Sequence, residues 1–278
     1  MNAVVVLTRG YKDIKKYDIL LKRNEHIRKN LKNKNTDILI FHEGNITPKQ
    51  QIYIKNKSNL PRLKFVSVER DFKKKTMNFY KPTERFGIGY RNMCSFWFVG
   101  FWKYTKKYKK ILRIDEDCYI DCSIDEIFKK CNNKVCVFGA MSKDYDSVTK
   151  GMNKFTLNFL AKKNIKKQKT SPNGPYTNLI CFNLEKLRKN KLMYKYIENV
   201  KRSNKIYIYR WGDLPLWGEV LKYMYNENDY LIDKNIKYFH QSHNRYVNEG
   251  KNNKKTKKNK TKNSKNMSKK KKVSNDKA

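Results

Sequence analysis

A short apolar run, Ile111, Leu112 and Ile114, ends abruptly in three adjacent carboxylates, Asp115, Glu116 and Asp117. Apolar residues that stop at acid mark a buried strand reaching a functional edge. In open α/β sheets ligands bind outside the carboxyl ends of the strands. Like charges this close repel unless a cation or an arginine compensates them. The chain holds 65 Lys+Arg against 25 Asp+Glu, so three consecutive acids run against its general charge. Asp-x-Asp spacing suits a hard divalent cation, Mn²⁺ or Mg²⁺, which takes oxygen ligands and leaves room for water and phosphate. A solvated turn or a helix cap uses the same residue types, and the spacing alone does not separate the readings.

The rest of the composition bounds the fold. A length of 278 residues suits one large α/β domain or two small ones. Hydrophobic residues at 38%, with 19 Tyr and 14 Phe, supply a substantial core and exclude a wholly disordered chain. Lys251 to Ala278 hold thirteen lysines and one aspartate, twelve charges of the net +40. That segment lacks apolar periodicity and is expected to be a disordered Lys/Asn-rich tail (250–278) after a domain spanning 1–249. The body remains basic, which favours polyanions in general. No apolar stretch reaches the 18 or so residues of a membrane span. The Ala3–Leu7 run is too short for a signal-peptide core. Six cysteines occur with no Cys-x-x-Cys pair, so a zinc site is not indicated and reduced thiols are expected.

Taken in order, Ala3–Leu7, Asp37–Phe41 and Leu63–Val68 read as strands, and Asp18–Leu31 as an amphipathic helix between the first two. Thr47-Pro48 opens a helix or loop. Residues 71–89 read as a loop, and Tyr90 to about Lys107 as a buried, aromatic-rich helix. The strand ending at the acids follows. Ser123 and Glu126 form a capping-box pattern for a helix to Lys130. Val135–Met141 and Tyr176–Asn183 read as strands, with Pro172–Pro175 as a turn near the site. Leu184–Ser203 reads as one helix, Ile206–Tyr209 as a short strand, and Leu214–Tyr225 as a helix that Asp213 can cap. Tyr230–Phe239 reads as extended, ending before His240 and His243. The alternation of strand and helix predicts an α/β fold with a mainly parallel central sheet and flanking helices.

Clusters at the ends of these elements form a constellation. Thr8-Arg9, Tyr90-Arg91, Asp115-Glu116-Asp117, Arg210-Trp211-Gly212-Asp213 and the pair His240/His243 each sit where a strand ends or a helix begins. A late histidine beside Asp-x-Asp gives a mixed oxygen and nitrogen shell with room for a diphosphate.

Gly89-Tyr90-Arg91-Asn92-Met93-Cys94-Ser95-Phe96, an aromatic helix, and Arg113-Ile114-Asp115-Glu116-Asp117 together resemble the fungal α-1,2-mannosyltransferases of glycosyltransferase family 15. Cys122, Tyr176-Thr177-Asn178, Leu184 to Arg188 and Arg210-Trp211-Gly212-Asp213-Leu214-Pro215 extend the resemblance over roughly residues 3–245. It implies a single GT-A domain, Mn²⁺, GDP-mannose as donor, a glycan or glycoprotein acceptor, and retention of configuration. By position it implies Asp115 and Asp117 at the metal, with His240 or His243 as the histidine ligand; spacing does not decide between them. It places Thr8, Arg9, Tyr90 and Arg91 with Asp115 near the nucleotide, and Trp211 and Asp213 near the acceptor. Two departures stand out. Asp-Glu-Asp replaces the family's Glu-Pro-Asp. Ile180 falls where the family carries its candidate nucleophile, and an isoleucine cannot form a glycosyl-enzyme bond.

The expected setting is soluble, cytoplasmic or virus-associated, with the Golgi indicated only by the resemblance. No specific nucleic-acid partner is expected. The competing expectation is a basic polyanion-binding protein on a catalytically degenerate transferase scaffold, whose signature is salt-dependent affinity.

Overall fold

The computed structural model describes residues 1–74, 77–170 and 173–248. The 250–278 tail, and Pro172 of the expected turn, lie outside the described residues.

The first half builds one side of the sheet. β1 (Asn2–Thr8) leads through α1 (Asp18–Asn30) to β2 (Asp37–His42), then through α2 (Pro48–Ser58) to β3 (Leu63–Ser67). α2 starts on a capping box: Thr47 accepts from the Gln50 backbone, and the Gln50 side chain accepts from the Thr47 backbone. All six residues of β2 are buried, as a strand covered on both faces requires. α3 (Ile88–Ser95) runs into a π-helical turn over Phe96–Gly100 and a 3-10 turn over Phe101–Tyr104. The expected single helix from Tyr90 to Lys107 is thus three helical geometries in series.

The second half carries the site. β4 (Lys110–Ile114) ends at the acids, and β5 (Cys118–Ile120), α4 (Ile124–Lys130), β6 (Cys136–Phe138) and β7 (Met141–Ser142) follow. Ser123 caps α4 by accepting from the Glu126 amide. α5 (Met152–Ala161) and β8 (Gly174–Pro175) precede β9 (Leu179–Asn183). α6 (Leu184–Leu187) and α7 (Lys191–Ser203) replace the single expected helix, because Asn190 starts a new one by accepting from the Met193 amide. α8 (Lys205–Tyr209) is helical where a strand was expected. One helical turn is bracketed there by left-handed Asn204 and Arg210 (φ 54° and 62°), and a four-residue apolar run does not carry its own period. α9 (Asp213–Met224) is capped by Gly212, not by Asp213, whose side chain is engaged elsewhere. The last extended stretch divides into β10 (Tyr230–Ile232) and β11 (Tyr238–His240), which join different sheets; β12 (Arg245–Val247) closes the described chain.

The central sheet has the order β10-β6-β9-β4-β1-β2-β3, and only β9 runs antiparallel to its neighbours. Apolar cores fill both faces. One holds Phe96, Trp97, Phe98, Tyr196, Trp211 and Trp217 against α3, α7 and α9. The other holds Leu20, Ile27, Ile54 and Ile127 from α1, α2 and α4. The α/β architecture and mainly parallel sheet read from the sequence are those observed. A small antiparallel sheet, β12-β11-β5, stands at the carboxyl edge of β4.

Candidate active site

The turn after β4 sends three carboxylates to three destinations. The Asp115 amide donates to the Asn178 carbonyl at the start of β9 (2.8 Å), and the Cys118 amide closes back on the Asp115 carbonyl (3.1 Å). Asp115 is gripped by Arg113, whose Nε and a terminal nitrogen donate to its two oxygens at 2.7 and 3.1 Å. The other Arg113 nitrogen donates to Asp213 at 2.5 Å. Glu116 turns away and accepts from Thr8 Oγ1 (2.8 Å) and Tyr11 (3.1 Å). Asp117 faces His240, with Oδ2 at 3.3 Å from Nε2, and accepts from the Ser242 amide at 3.2 Å.

Arg113 is a charged residue in the middle of a buried strand, only 3% exposed. Such a group persists only when paired. Burial opposes its charge, but Asp115 and Asp213 outweigh burial and hold it protonated. For Asp115 burial dominates and raises the pKa despite Arg113. Burial also opposes ionisation of Asp117, yet His240 and Ser242 prevail and hold it well below the usual carboxylate range. Burial and the neighbouring acids push the Cys118 thiol well up.

These groups open on a cavity of about 750 Å³, a size suited to a small ligand. Asp115, Asp117 and Asp213 line one part of it, and Tyr90, Arg210 and Asp144 another. Arg210 donates to Asp144 (2.5 Å) and to the Tyr90 hydroxyl (2.7 Å), and lies over the rings of Phe86 and Tyr90. Its Nε is buried and has no hydrogen-bond partner among the described residues. Both histidines line the cavity. His240 Nδ1 meets Tyr176 (2.8 Å) and Asn178 (2.9 Å), which leaves Nε2 toward Asp117. The His243 ring lies 4.2 Å from that of His240, tilted by 43°, and shares the Tyr176 hydroxyl (2.7 Å). Burial, then the neighbouring His240 and Arg245, lower its pKa and favour the neutral imidazole.

Of the residues singled out from the sequence, Tyr90, Asp115, Asp117, Asp213, His240 and His243 therefore converge on one cavity. The other four do not. Thr8 is spent on Glu116, and Arg9 lies exposed over the Tyr11 ring. Arg91, expected near the nucleotide, is fully buried and donates to the carbonyls of Thr83, Phe86 and Tyr207. Trp211, expected as a face for the acceptor, is fully buried against Phe155 with its indole nitrogen on the Lys150 carbonyl. A ring with no exposed face cannot stack on a sugar. Sequence reasoning assigned no role to Arg113, Asp144, Tyr176 or Asn178. Arg113 carried a signal, a cation inside an apolar strand; Asp144, in a polar loop, carried none.

Asp117, Cys118 and His240 offer ligand atoms all within 4.8 Å of one another. Carboxylate and imidazole together fit a Mn²⁺-type ion. Asp115 does not join them, because Arg113 holds both its oxygens.

No protein-family model matches the sequence, and no curated protein matches it. Solved structures do. The mannosyltransferase Ktr4p from S. cerevisiae superposes with a TM-score of 0.72 at 17% identity, over 86% of this chain and 70% of that one. The same enzyme in complex with GDP gives 0.71. Core-mannan synthase A (CmsA/Ktr4) from Aspergillus fumigatus, in its Mn/GDP form, gives 0.71 at 15% identity over 86% of this chain and 74% of that one. The chain has the GT-A fold of these fungal mannosyltransferases.

Proposed function

We propose that this chain is a metal-dependent glycosyltransferase that moves mannose from GDP-mannose to a hydroxyl of a glycan or glycoprotein, with retention. The observation that carries the reading is the pairing of Asp117 with His240 at the wall of a cavity of about 750 Å³, at the carboxyl edge of the parallel strands. The Mn/GDP form of core-mannan synthase A and the GDP complex of Ktr4p, both on this fold, support it.

In this reading Asp117 and His240 hold the cation. Tyr176 and Asn178 hold His240 through Nδ1, which orients Nε2 toward Asp117, the part that outer partners play for a metal-bound imidazole. When bound, the cation supplies charge against the departing diphosphate. Arg113 fixes Asp115 and Asp213 in the same cavity, so both carboxylates stay oriented. Arg210 and Tyr90 stand beside them as polar contacts for donor or acceptor.

Ile180 is fully buried in β9 among Phe138 and Phe182, so it offers the sugar nothing. Retention then follows from front-side attack. The anomeric carbon–oxygen bond to the diphosphate breaks, the acceptor oxygen bonds on the same face, and the acceptor proton passes to the diphosphate.

The test offers the full chain GDP-mannose, GDP-fucose, UDP-glucose, UDP-galactose and UDP-N-acetylglucosamine, each with and without Mn²⁺. Mn²⁺-dependent hydrolysis or thermal stabilisation with GDP-mannose supports the reading, and another responsive donor corrects the sugar. Silence toward every donor, with heparin binding retained, favours the polyanion-binding scaffold.

A further inference from the structure

Cys118 has no part in the chemistry above, yet the fold sets it against the cation-holding pair. β5 and β11 are antiparallel, and their register places Cys118 directly opposite His240. Directly opposed residues project from the same face of a sheet. Asp117 precedes Cys118 and reaches the same spot from the turn. The Cys118 sulfur is 4.0 Å from Asp117 Oδ1, and His240 Nε2 is 3.3 Å from Asp117 Oδ2. In a tetrahedral shell with bonds of about 2.0–2.3 Å, ligand atoms stand about 3.3–3.8 Å apart. Taking one atom from each residue, the three donors lie within 4.8 Å of one another, so they close around one ion with shortenings of at most about 1.5 Å.

The donor set is informative. Mn²⁺ and Mg²⁺ prefer oxygen and gain little from a thiolate, whereas Zn²⁺ and Co²⁺ bind one strongly. Asp117 and His240 line the cavity, while Cys118 is fully buried behind them. An ion held by all three keeps one position toward the cavity, as catalytic zinc sites do.

We propose that Cys118 is a third protein ligand, so that the site takes a thiophilic divalent cation, Zn²⁺ or Co²⁺, through Asp117, Cys118 and His240 with the fourth position open to the cavity. The inference rests on the reading of Asp117 and His240 as the cation holders. Binding forms a metal–sulfur bond and releases the thiol proton to solvent, with no change of oxidation state. With Mn²⁺ the thiol keeps its proton and the shell is completed from the cavity side. One pair of residues then serves two classes of cation, and Cys118 distinguishes them.

The experiment uses the full chain, stripped with chelator and kept reduced, and titrated with Co²⁺. A sulfur-to-cobalt charge-transfer band in the near ultraviolet is expected at one equivalent, displaced by Zn²⁺. Cys118→Ser removes the band and weakens Zn²⁺ binding at least about ten-fold, while Mn²⁺ binding, read by electron paramagnetic resonance, changes by less than about two-fold. Cys122→Ser keeps the band. X-ray absorption on the Zn²⁺-loaded parent chain tests the same point without a variant: one sulfur at about 2.3 Å is expected, and a shell of nitrogen and oxygen alone overturns the proposal. A band that survives Cys118→Ser also overturns it. Mn²⁺ binding without any cobalt–sulfur band overturns the thiol ligand and leaves the transferase reading standing. Binding of neither ion overturns both.

Discussion

Three consecutive acids with one sequence signature end in three environments, and their substitutions separate accordingly. With Asp117 as the proposed cation ligand, Asp117→Asn is expected to lower Mn²⁺-dependent donor hydrolysis by about 100-fold or more, with Mn²⁺ affinity falling in parallel; unchanged Mn²⁺ affinity would contradict the site. Glu116 accepts hydrogen bonds from Thr8 and Tyr11, away from His240, and Glu116→Gln is expected to leave Mn²⁺ affinity within about two-fold. Asp37 offers a stability test away from the site. It is fully buried at the foot of β2, and its carboxylate accepts from Arg62, Lys64 and Tyr108 at 2.7 Å each. Burial raises its pKa, but Lys64, Tyr108 and Arg62 together bring it down to about 2. A depressed carboxylate contributes its full stability above the unfolded value near 3.9 and loses it as pH falls through the folded value. Asp37→Asn therefore costs about 1–2 kcal/mol at neutral pH, allowing for the partly exposed Arg62 and Lys64. Between about pH 4 and pH 2 the difference from the parent closes, which denaturant melts along a pH series follow.

Elements whose residues state their own period were legible in the sequence. The all-apolar β1 and β2, the capped α2 and α4, and the amphipathic α1 follow from local pattern and cap chemistry. The elements that were misread depend on partners far along the chain. Ile206–Tyr209 satisfies a strand pattern, but left-handed residues at both ends confine it to a helical turn. Asp213 has the position of a helix cap, yet Arg113, one hundred residues earlier, takes its carboxylate. The contact between β8 and α9 is equally non-local. A Cβ on Gly174 would lie 2.0 Å from the Leu214 carbonyl oxygen, and one on Gly218 would lie 2.9 Å from the Asn173 carbonyl oxygen. Both obstacles are backbone and cannot rotate aside. Gly174→Ala is expected to cost about 1–3 kcal/mol, read as a lowered melting temperature, whereas a Cβ at Gly89 meets nothing within 4 Å among the described residues and Gly89→Ala is expected to be nearly neutral.

For the whole molecule, a net charge of +40 predicts polyanion binding that is non-specific and falls steeply with salt. Heparin or DNA affinity is expected to drop by at least about ten-fold between 50 and 200 mM salt and to ignore Mn²⁺, while donor binding follows Mn²⁺. Affinity for DNA that instead required Mn²⁺ would count against that separation. Among the described residues no helix is long and apolar enough to cross a membrane. The alternation of apolar runs and caps was enough to specify an α/β sheet, and the abrupt step from Ile114 to Asp115 located its polar edge, because both are properties of adjacent residues. Which acid meets Arg113, which meets His240, and that Arg91 and Trp211 are spent on packing were settled only by the fold. Those partners lie tens to more than a hundred residues apart, and a side chain's charge and size do not reveal who stands opposite until the strands are in register.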